Sequence, residues 1–407
     1  MSAWARLTLP IAEPAWLSAE RATAWVRTLA AVTFIGALAW IAFSHGGVDP
    51  TGKPLGTDFI SFWTASRLVW DGAPATAAYD PAAHGVLQAR AFPGVDVGYT
   101  PFPYPPPFLL ICLPLGLMPY LPALAVWLGL TGVAWFRAAR AWLGEASWLP
   151  LLAFPAVLIN LSNGQNGFLS GALFGTGALL LRRRPFLAGL CLGALVFKPH
   201  LGLLIPFVLL ATRNWRALAG ATVAAAGLCA ASLAAFGPEI WLRFPPQLAM
   251  MRQVVEGGLL HPGKVQTVFA GLQLLLAPLG AAYAAQAVTA VMAAAAVAAF
   301  AWRNPRSAAI GPLLIAATLL ISPYLMDYDL ILAAFPLAWL FAEGRRTGFR
   351  PWEQAAMLAA YVLPLGSRVL AMHTGLVVAP LVLGALLWAA LRRASAPDEG
   401  PRPALGH

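Results

Sequence analysis

The stretch GTDFISFW, residues 56–63, combines one carboxylate with a run of aromatic residues. A carboxylate such as Asp58 can act as a general base, taking the proton from a hydroxyl group while that oxygen attacks a second reactant. Asp is also a favoured N-cap, so capping the helix that follows is the structural alternative for this residue. Asp58 is our candidate catalytic base.

Amide side chains are concentrated in NGQNG, residues 163–167. Asn163, Gln165 and Asn166 carry both donors and acceptors, the groups that hold sugar hydroxyls, and the flanking glycines allow close backbone approach. A simple tight turn is the alternative, because Gly and Asn are frequent turn residues. We predict that these three amides bind a sugar or an acceptor.

Candidate ligands for a phosphate are Lys198 and His200, in the motif KPH, and Arg67. A cation near a departing phosphate stabilises the negative charge that develops there. A lysine at the end of a short apolar helix also reaches towards the membrane interface without any chemical role. Both interpretations of Lys198 stay open at this point.

The last polar patch is SPYLMDYD, residues 322–329, in which Asp327 and Tyr328 are candidate ligands of a sugar or acceptor. Asp327 has an alternative role as the ion-pair partner of an arginine. Trp63 and Tyr104 are candidates for stacking on a sugar face or a lipid chain. Aromatic residues at loop edges are otherwise interface anchors.

Membrane helices are the elements that must position these residues. The chain is 60% hydrophobic and 10% charged, with a mean hydropathy of +0.72, which is typical of an all-α polytopic membrane protein. Its formal charge of +10 comes from arginines clustered between apolar segments, so nucleic acid is not an expected partner. The three cysteines stand apart in apolar sequence, so we predict no disulfide, metal or cofactor.

Apolar segments give twelve candidate spans, at residues 25–43, 121–139, 148–162, 167–181, 186–199, 200–212, 217–236, 281–301, 308–323, 328–342, 352–370 and 374–391. The basic clusters RAAR, RRR, TRNWR, RNPR, EGRR and RR then all fall on one side, which the positive-inside rule makes cytoplasmic. Residues 105–141 are interpreted as one span and a surface helix, because two spans would place RAAR and RRR on opposite sides.

The opposite side carries a long first loop, residues 44–120, and a second large loop, residues 237–280. Residues 58–70 are predicted to form an interfacial helix, since aromatic residues recur on one helical face. The polar patches at span ends on this side predict a shared cavity. The chain is interpreted as one membrane domain, residues 1–395, with a disordered cytoplasmic tail at 396–407.

Several motifs in matching order resemble glycosyltransferase family 87, a family of polyprenyl-phosphate-mannose-dependent α-mannosyltransferases of the GT-C superfamily. They are GTDFISFWTASRLVWDG, YPPP, NGQNGFLSGALF, LRRRPFLAGLCLGALVFKPHLGLLIPFVLL and SPYLMDYDL, spread over residues 55–345. The resemblance implies a GT-C-type helical bundle with interfacial helices in the first extracytoplasmic loop. It also implies a lipid-phosphate sugar donor and inversion without a metal. The family's base, an acidic residue early in that loop, matches Asp58, whereas Tyr328 and Asp329 stand where members often carry His.

The expected activity is transfer of a hexose, with mannose as the first choice, from a polyprenyl-phosphate donor to a lipid-linked or glycan hydroxyl. It would take place among membrane lipids at the extracytoplasmic face of the inner (plasma) membrane. A transporter or lipid flippase is one alternative, which predicts repeated halves with broken helices or charges at mid-span. A non-catalytic protein of envelope assembly is the other, and it would tolerate loss of Asp58.

Overall fold

The computed structural model describes residues 17–144 and 146–396, and in these two ranges the chain is helical apart from its loops and a few isolated β-bridges. The α-helices are α1 Ala19–Ala42, α2 Phe59–Trp70, α3 Pro81–Ala91, α4 Pro106–Cys112, α5 Tyr120–Leu143, α6 Leu149–Leu152, α7 Pro155–Asn163, α8 Gly167–Leu180, α9 Pro185–Gly193, α10 Pro199–Gly202, α11 Ile205–Ala211, α12 Trp215–Phe236, α13 Glu239–Glu256, α14 Val268–Leu274, α15 Leu279–Arg303, α16 Ile310–Ile321, α17 Ala334–Thr347, α18 Glu353–Thr374 and α19 Ala379–Ala394. Short 3₁₀ helices occupy Ala75–Tyr79, Leu113–Leu117, Ala194–Phe197 and Asp327–Ala333. The predicted tail lies outside the described residues except for Ala396.

Within the described ranges, five helices are long and apolar enough to cross a membrane: α1, α5, α12, α15 and α18. They contain 22 to 25 residues, and at about 1.5 Å per residue each is longer than the ~30 Å hydrocarbon layer. Each coincides with one of the predicted spans. The chain is thus an all-helical membrane protein, and the count of twelve spans stays a prediction.

Proline divides several of the remaining apolar segments into shorter helices. Predicted span 148–162 is split between α6 and α7, with Pro155 at the start of α7. Residues 186–212 form α9, a 3₁₀ turn, α10 and α11, with Pro199 opening α10. Because proline lacks an N–H group, it starts a helix readily and breaks one that precedes it.

The first outer loop folds against the bundle more deeply than the sequence indicated. Nine of the twelve residues of α2 are buried, so this helix is enclosed by protein and has no broad lipid-facing side. Helix α4 is likewise packed inward, with Phe108 and Cys112 fully buried. Residues 105–141 contain a single long helix, α5, as predicted, but the short helix before it is buried and is not the surface helix that the sequence indicated. In the second outer loop, α13 keeps an interfacial character because Leu242 and Leu248 are exposed.

Small residues bring the central helices into close contact. A Cβ atom on Gly189 of α9 would lie only 2.7 Å from the Ala221 backbone nitrogen of α12, so these helices pack backbone to backbone. Small residues allow such an approach between membrane helices. All twelve residues of α16 are buried, which makes it a central helix of the bundle. This rigid centre holds the polar loops described below.

The basic clusters and the polar patches lie at opposite ends of the same helices. Helix α8 runs from the NGQNG patch to the RRR cluster, and α16 runs from the RNPR cluster towards SPYLMDYD. The 14 residues of α8 span about 20 Å at 1.5 Å per residue. The polar patches are therefore separated from the basic end by about one short membrane helix.

An apolar cavity of about 570 Å³ lies away from the polar patches, between α1 and the ends of α5, α17 and α18. Trp25, Phe154, Phe341 and Tyr361 are among its lining residues. Its walls suit a hydrocarbon chain better than a sugar, since sugar sites need several polar groups. The polar patches, rather than this cavity, are the candidate for chemistry.

Candidate active site

Asp58 lies where the first outer loop meets the NGQNG loop. Its backbone N–H donates to the Asn163 carbonyl at 3.0 Å, and its carboxylate accepts from Gln165 Nε2 at 2.9 Å and from Lys264 Nζ at 3.1 Å. The carboxylate makes no capping hydrogen bond to α2. Asn163 takes part in this contact only through its backbone carbonyl, because its side chain donates to the Ile159 carbonyl of its own helix. The Asp58 side chain is thus directed at Gln165 and Lys264, and the N-cap alternative does not describe it.

Two glycines of NGQNG allow this contact between loops. Gly164 has φ +63°, and a Cβ there would lie 2.6 Å from Phe59 Cβ and 3.1 Å from Gly56 Cα. A Cβ on Gly167 would lie 2.8 Å from the Tyr328 carbonyl oxygen. Any side chain at these positions would push the loops apart. The turn in NGQNG is therefore also the surface on which the first loop and the Tyr328 segment rest.

Lys198 is buried beneath the NGQNG loop. Its ammonium group donates to Asn166 Oδ1 at 2.8 Å and to Asp329 Oδ1, and it lies 4.8 Å from the centroid of the Tyr328 ring. Its side chain is only 2% exposed. An ammonium group has three N–H donors, and this one has two hydrogen-bond acceptors and an aromatic face around it. The residue therefore has its own structural partners in the site.

His200 and Asp327 lie on either side of this buried pair. His200 Nε2 is 3.9 Å from Asp329 Oδ2. Asp327 accepts from the Tyr328 backbone N–H at 2.9 Å and lies 3.5 Å from Arg368 Nη1 of α18. Arg368 is thus the ion-pair partner of Asp327, which is the alternative role that the sequence left open for this carboxylate.

Backbone pairing fixes the segment that carries Lys264 against the segment that carries Asp327. Val265 and Met326 form an antiparallel bridge, and the Asp327 N–H donates to the Lys264 carbonyl at 2.9 Å. These two short extended stretches belong to different loops in sequence. Because the backbones are paired, Lys264 and Asp327 keep a fixed relation to each other.

The carboxyl of Asp327 lies outside the membrane-spanning segments and is strongly affected by its surroundings. Burial raises the pKa of Asp327 to about 6, while the positive charges of Arg368 and Lys264 act in the opposite direction. The Asp58 charge adds to the rise. A carboxyl with such a pKa changes its charge near neutral pH, which is common in functional sites.

Tyr104 completes one wall of the cluster. Its hydroxyl donates to Gln165 Oε1 at 3.4 Å, and its ring packs against Phe62 and Phe108. Gln165 therefore links Tyr104 to Asp58. The structure thus brings together Asp58, Tyr104, Gln165, Asn166, Lys198, His200, Asp327 and Tyr328, which we call the polar cluster.

Arg67 and Trp63 have their partners elsewhere. Arg67 pairs with Asp71 at 2.9 Å near the end of α2 and donates to the Gly116 carbonyl. Trp63 Nε1 donates to the Met118 carbonyl at 2.9 Å. Both side chains fasten α2 to the 3₁₀ helix Leu113–Leu117 and the residue that follows it. Their predicted substrate contacts stay predictions without support from this geometry.

The structure adds two charged residues that sequence reasoning did not select as ligands: Lys264 and Arg368. One signal for Lys264 was available, because the chain has only three lysines, Lys53, Lys198 and Lys264, against many arginines. Lys198 belongs to the polar cluster, and Lys264 contacts it through Asp58. Among the described residues, no group of His, Cys, Asp and Glu is arranged to hold a metal ion.

Chemically, the polar cluster offers a carboxylate, amide groups and cations within one enclosed region. The carboxylate of Asp58 is 12% exposed, so a hydroxyl can reach it without full access by bulk water. Amides can hold sugar hydroxyls, and cations can neutralise a phosphate. Such a set suits the transfer of a sugar from a phosphate to a hydroxyl.

Comparison with known sequences identifies the family. The profile of glycosyltransferase family 87 matches residues 102–323, which is more than half of the chain. The match includes the NGQNG loop, Lys198 and Lys264, begins after Asp58 and ends before Asp327. No curated protein and no solved structure matched significantly. The chain belongs to glycosyltransferase family 87 and is a membrane glycosyltransferase.

Proposed function

We propose that this glycosyltransferase moves a hexose, with mannose as the first candidate, from a polyprenyl-phosphate donor to a hydroxyl of a lipid-linked or glycan acceptor. The observation that carries the proposal is the Asp58 carboxylate, held by Gln165 and Lys264 at the end of the bundle opposite the basic clusters. By the positive-inside rule this end faces away from the cytoplasm. The site then lies on the extracytoplasmic side of the plasma membrane.

In the proposed reaction, Asp58 takes the proton of the acceptor hydroxyl as that oxygen forms a bond to the anomeric carbon. The bond from that carbon to the phosphate oxygen breaks, and its electron pair stays on the polyprenyl phosphate. Attack opposite the leaving group inverts the configuration of the sugar. Gln165 orients the carboxylate through its hydrogen bond of 2.9 Å.

The sugar is proposed to lie between the NGQNG loop and the segment of Asp327 and Tyr328. Among the described residues the buried amide nitrogen of Asn166 makes no hydrogen bond of good geometry, although the Tyr104 hydroxyl interacts with this side chain and its oxygen accepts from Lys198. An unpaired buried donor is costly, so a bound hydroxyl that accepts from it would be favourable. A direct sugar contact is therefore better supported for Asn166 than for Asn163, whose side chain donates to the Ile159 carbonyl.

Lys198 and His200 were predicted to contact the donor phosphate, and this role stays a prediction. The structure gives Lys198 a second role, because its ion pair with Asp329 and its hydrogen bond to Asn166 hold the NGQNG loop against the Tyr328 segment. His200 is more accessible, with 28% of its side chain exposed. We propose that Lys198 mainly positions Asn166.

Donor preference tests this function directly. Membranes containing the chain are supplied with polyprenyl-phosphate mannose, polyprenyl-phosphate glucose or GDP-mannose, each with a radiolabelled sugar, and polyprenyl-phosphate mannose synthesis from GDP-mannose is blocked. Transfer from a polyprenyl-phosphate sugar alone is the expected result. Transfer from GDP-mannose under these conditions would contradict the lipid-linked donor, and a preference for glucose would correct the sugar.

A further inference from the structure

The segment His261–Lys264 packs directly on helix α18 beside the polar cluster. Gly263 has φ +75°, and a Cβ there would lie 2.9 Å from Arg368 Cα and 3.0 Å from the Arg368 carbonyl oxygen. Only a residue without a side chain permits this approach. The packing therefore places Lys264 and Arg368 side by side, each next to an acidic residue of the cluster.

Lys264 and Arg368 keep hydrogen-bonding capacity beyond their present partners. Lys264 Nζ contacts the two Asp58 oxygens at 3.1 and 3.3 Å, and Arg368 contacts Asp327 through one nitrogen at 3.5 Å. A guanidinium has five N–H donors and an ammonium has three. Their side chains are 20% and 35% exposed, against 2% for Lys198. These two cations can therefore bind an anionic ligand that approaches from outside the cluster.

Several positive side chains lie near His261 at this edge of the site. Burial lowers the pKa of His261, and the charges of Arg368, Lys53 and Lys264 lower it further. Two of the three lysines of the chain, Lys53 and Lys264, thus lie with Arg368 around one histidine. An anion entering here would be attracted before it reached Asp58.

We infer that Lys264 and Arg368 together bind the phosphate of the lipid-linked donor, with Lys264 contacting both this phosphate and the base Asp58. The inference rests on the proposed function and names the residues that recognise its leaving group. A lysine is a common phosphate ligand, and the fork of an arginine matches two phosphate oxygens. The arrangement places the leaving group and the base on either side of one ammonium group.

Binding of two matched lipids tests this inference. The purified full-length chain in detergent is titrated with polyprenyl phosphate and with the polyprenol of the same length, which lacks only the phosphate. Wild type is compared with Lys264→Gln, Arg368→Gln, the charge-conserving Lys264→Arg and Arg368→Lys, and the control Arg252→Gln. Arg252 lies in the outer helix α13, pairs with Glu256 and has 64% of its side chain exposed.

Wild type and the control Arg252→Gln are expected to bind polyprenyl phosphate more tightly than polyprenol. Lys264→Gln and Arg368→Gln are each expected to bind polyprenyl phosphate about tenfold more weakly than wild type, with unchanged affinity for polyprenol. The charge-conserving variants keep part of the preference and exclude misfolding as the cause. An unchanged preference for polyprenyl phosphate in both Lys264→Gln and Arg368→Gln would overturn this inference but not the proposed function. Equal displacement of polyprenyl phosphate by phosphatidylglycerol would also overturn it, since the site would then bind anionic lipids in general. Wild type that binds polyprenyl phosphate no better than polyprenol would overturn the proposed function as well.

Discussion

Lys264 Nζ lies 3.1 Å from Asp58 Oδ2, although 206 residues separate the two in sequence. The contact joins the first outer loop, which rests on the NGQNG turn, to the second, which pairs with the Asp327 segment through Val265 and Met326. A carboxylate held by an ammonium and an amide keeps a fixed orientation, which a general base requires.

The buried pair of Lys198 and Asp329 is expected to stabilise the site. Lys198→Met leaves the buried Asp329 carboxylate without its ammonium, with only His200 at 3.9 Å and the Met326 N–H beside it, and removal of one partner of a buried pair typically costs about 3–5 kcal/mol. The double variant Lys198→Met, Asp329→Leu removes both charges and should regain much of this loss. Thermal unfolding in detergent measures the three proteins, with the exposed Arg252→Met as control. A single variant as stable as wild type would show that the pair is not buried as described.

Gly164→Ala is expected to reduce transfer strongly. The added Cβ would lie 2.6 Å from Phe59 Cβ, so the Asp58 loop must move, and displacement of a catalytic group by about 1 Å can cost roughly 100-fold in rate. Gly227→Ala is the matched control, because nothing lies within 4 Å of the position of its Cβ. Initial rates at equal protein abundance provide the comparison. Equal rates for the two variants would contradict the tight contact between the loops.

Ionisation of Asp327 is expected to lower stability as pH rises. Burial raises the pKa of Asp327 from its ordinary value of 3.8 to about 6, so the folded state binds this proton more tightly than the unfolded state. The stabilisation is complete below about pH 4 and lost as pH rises through 6, a change of roughly 3 kcal/mol.

Asp327→Asn removes this titration. Thermal unfolding between pH 4 and pH 7 should show wild type losing stability relative to the variant across that interval, with the largest change between pH 4 and 6. Parallel curves for the two proteins would mean that Asp327 does not titrate in this range in the folded state.

Sequence reasoning identified the polar patches, and the structure shows which of them meet. Asp58, Gln165, Asn166, Lys198 and Asp327 lie in the polar cluster because loops at the same ends of membrane helices must come together. The same reasoning did not identify Lys264 or Arg368 as ligands, since their roles depend on loop pairing over long sequence separations. No local pattern encodes such a contact.

The placement of Arg67 and Trp63 shows a second limit. On an isolated amphipathic helix both residues are available to ligands, which is what the sequence of α2 indicated. In the structure α2 is covered by the rest of its loop, and both side chains donate to backbone carbonyls of residues 113–118. Enclosure of a loop helix by its own flanking segments is a tertiary effect, which periodicity does not predict.

The role of Asp58 as the base is measured by transfer from radiolabelled polyprenyl-phosphate mannose in membranes containing wild type or Asp58→Asn. Asn keeps the size of the side chain and its contact with Gln165 but cannot take the proton. We predict transfer by wild type and a loss of at least about 100-fold in the variant, at equal protein abundance. Equal transfer by both proteins would contradict the assignment of Asp58.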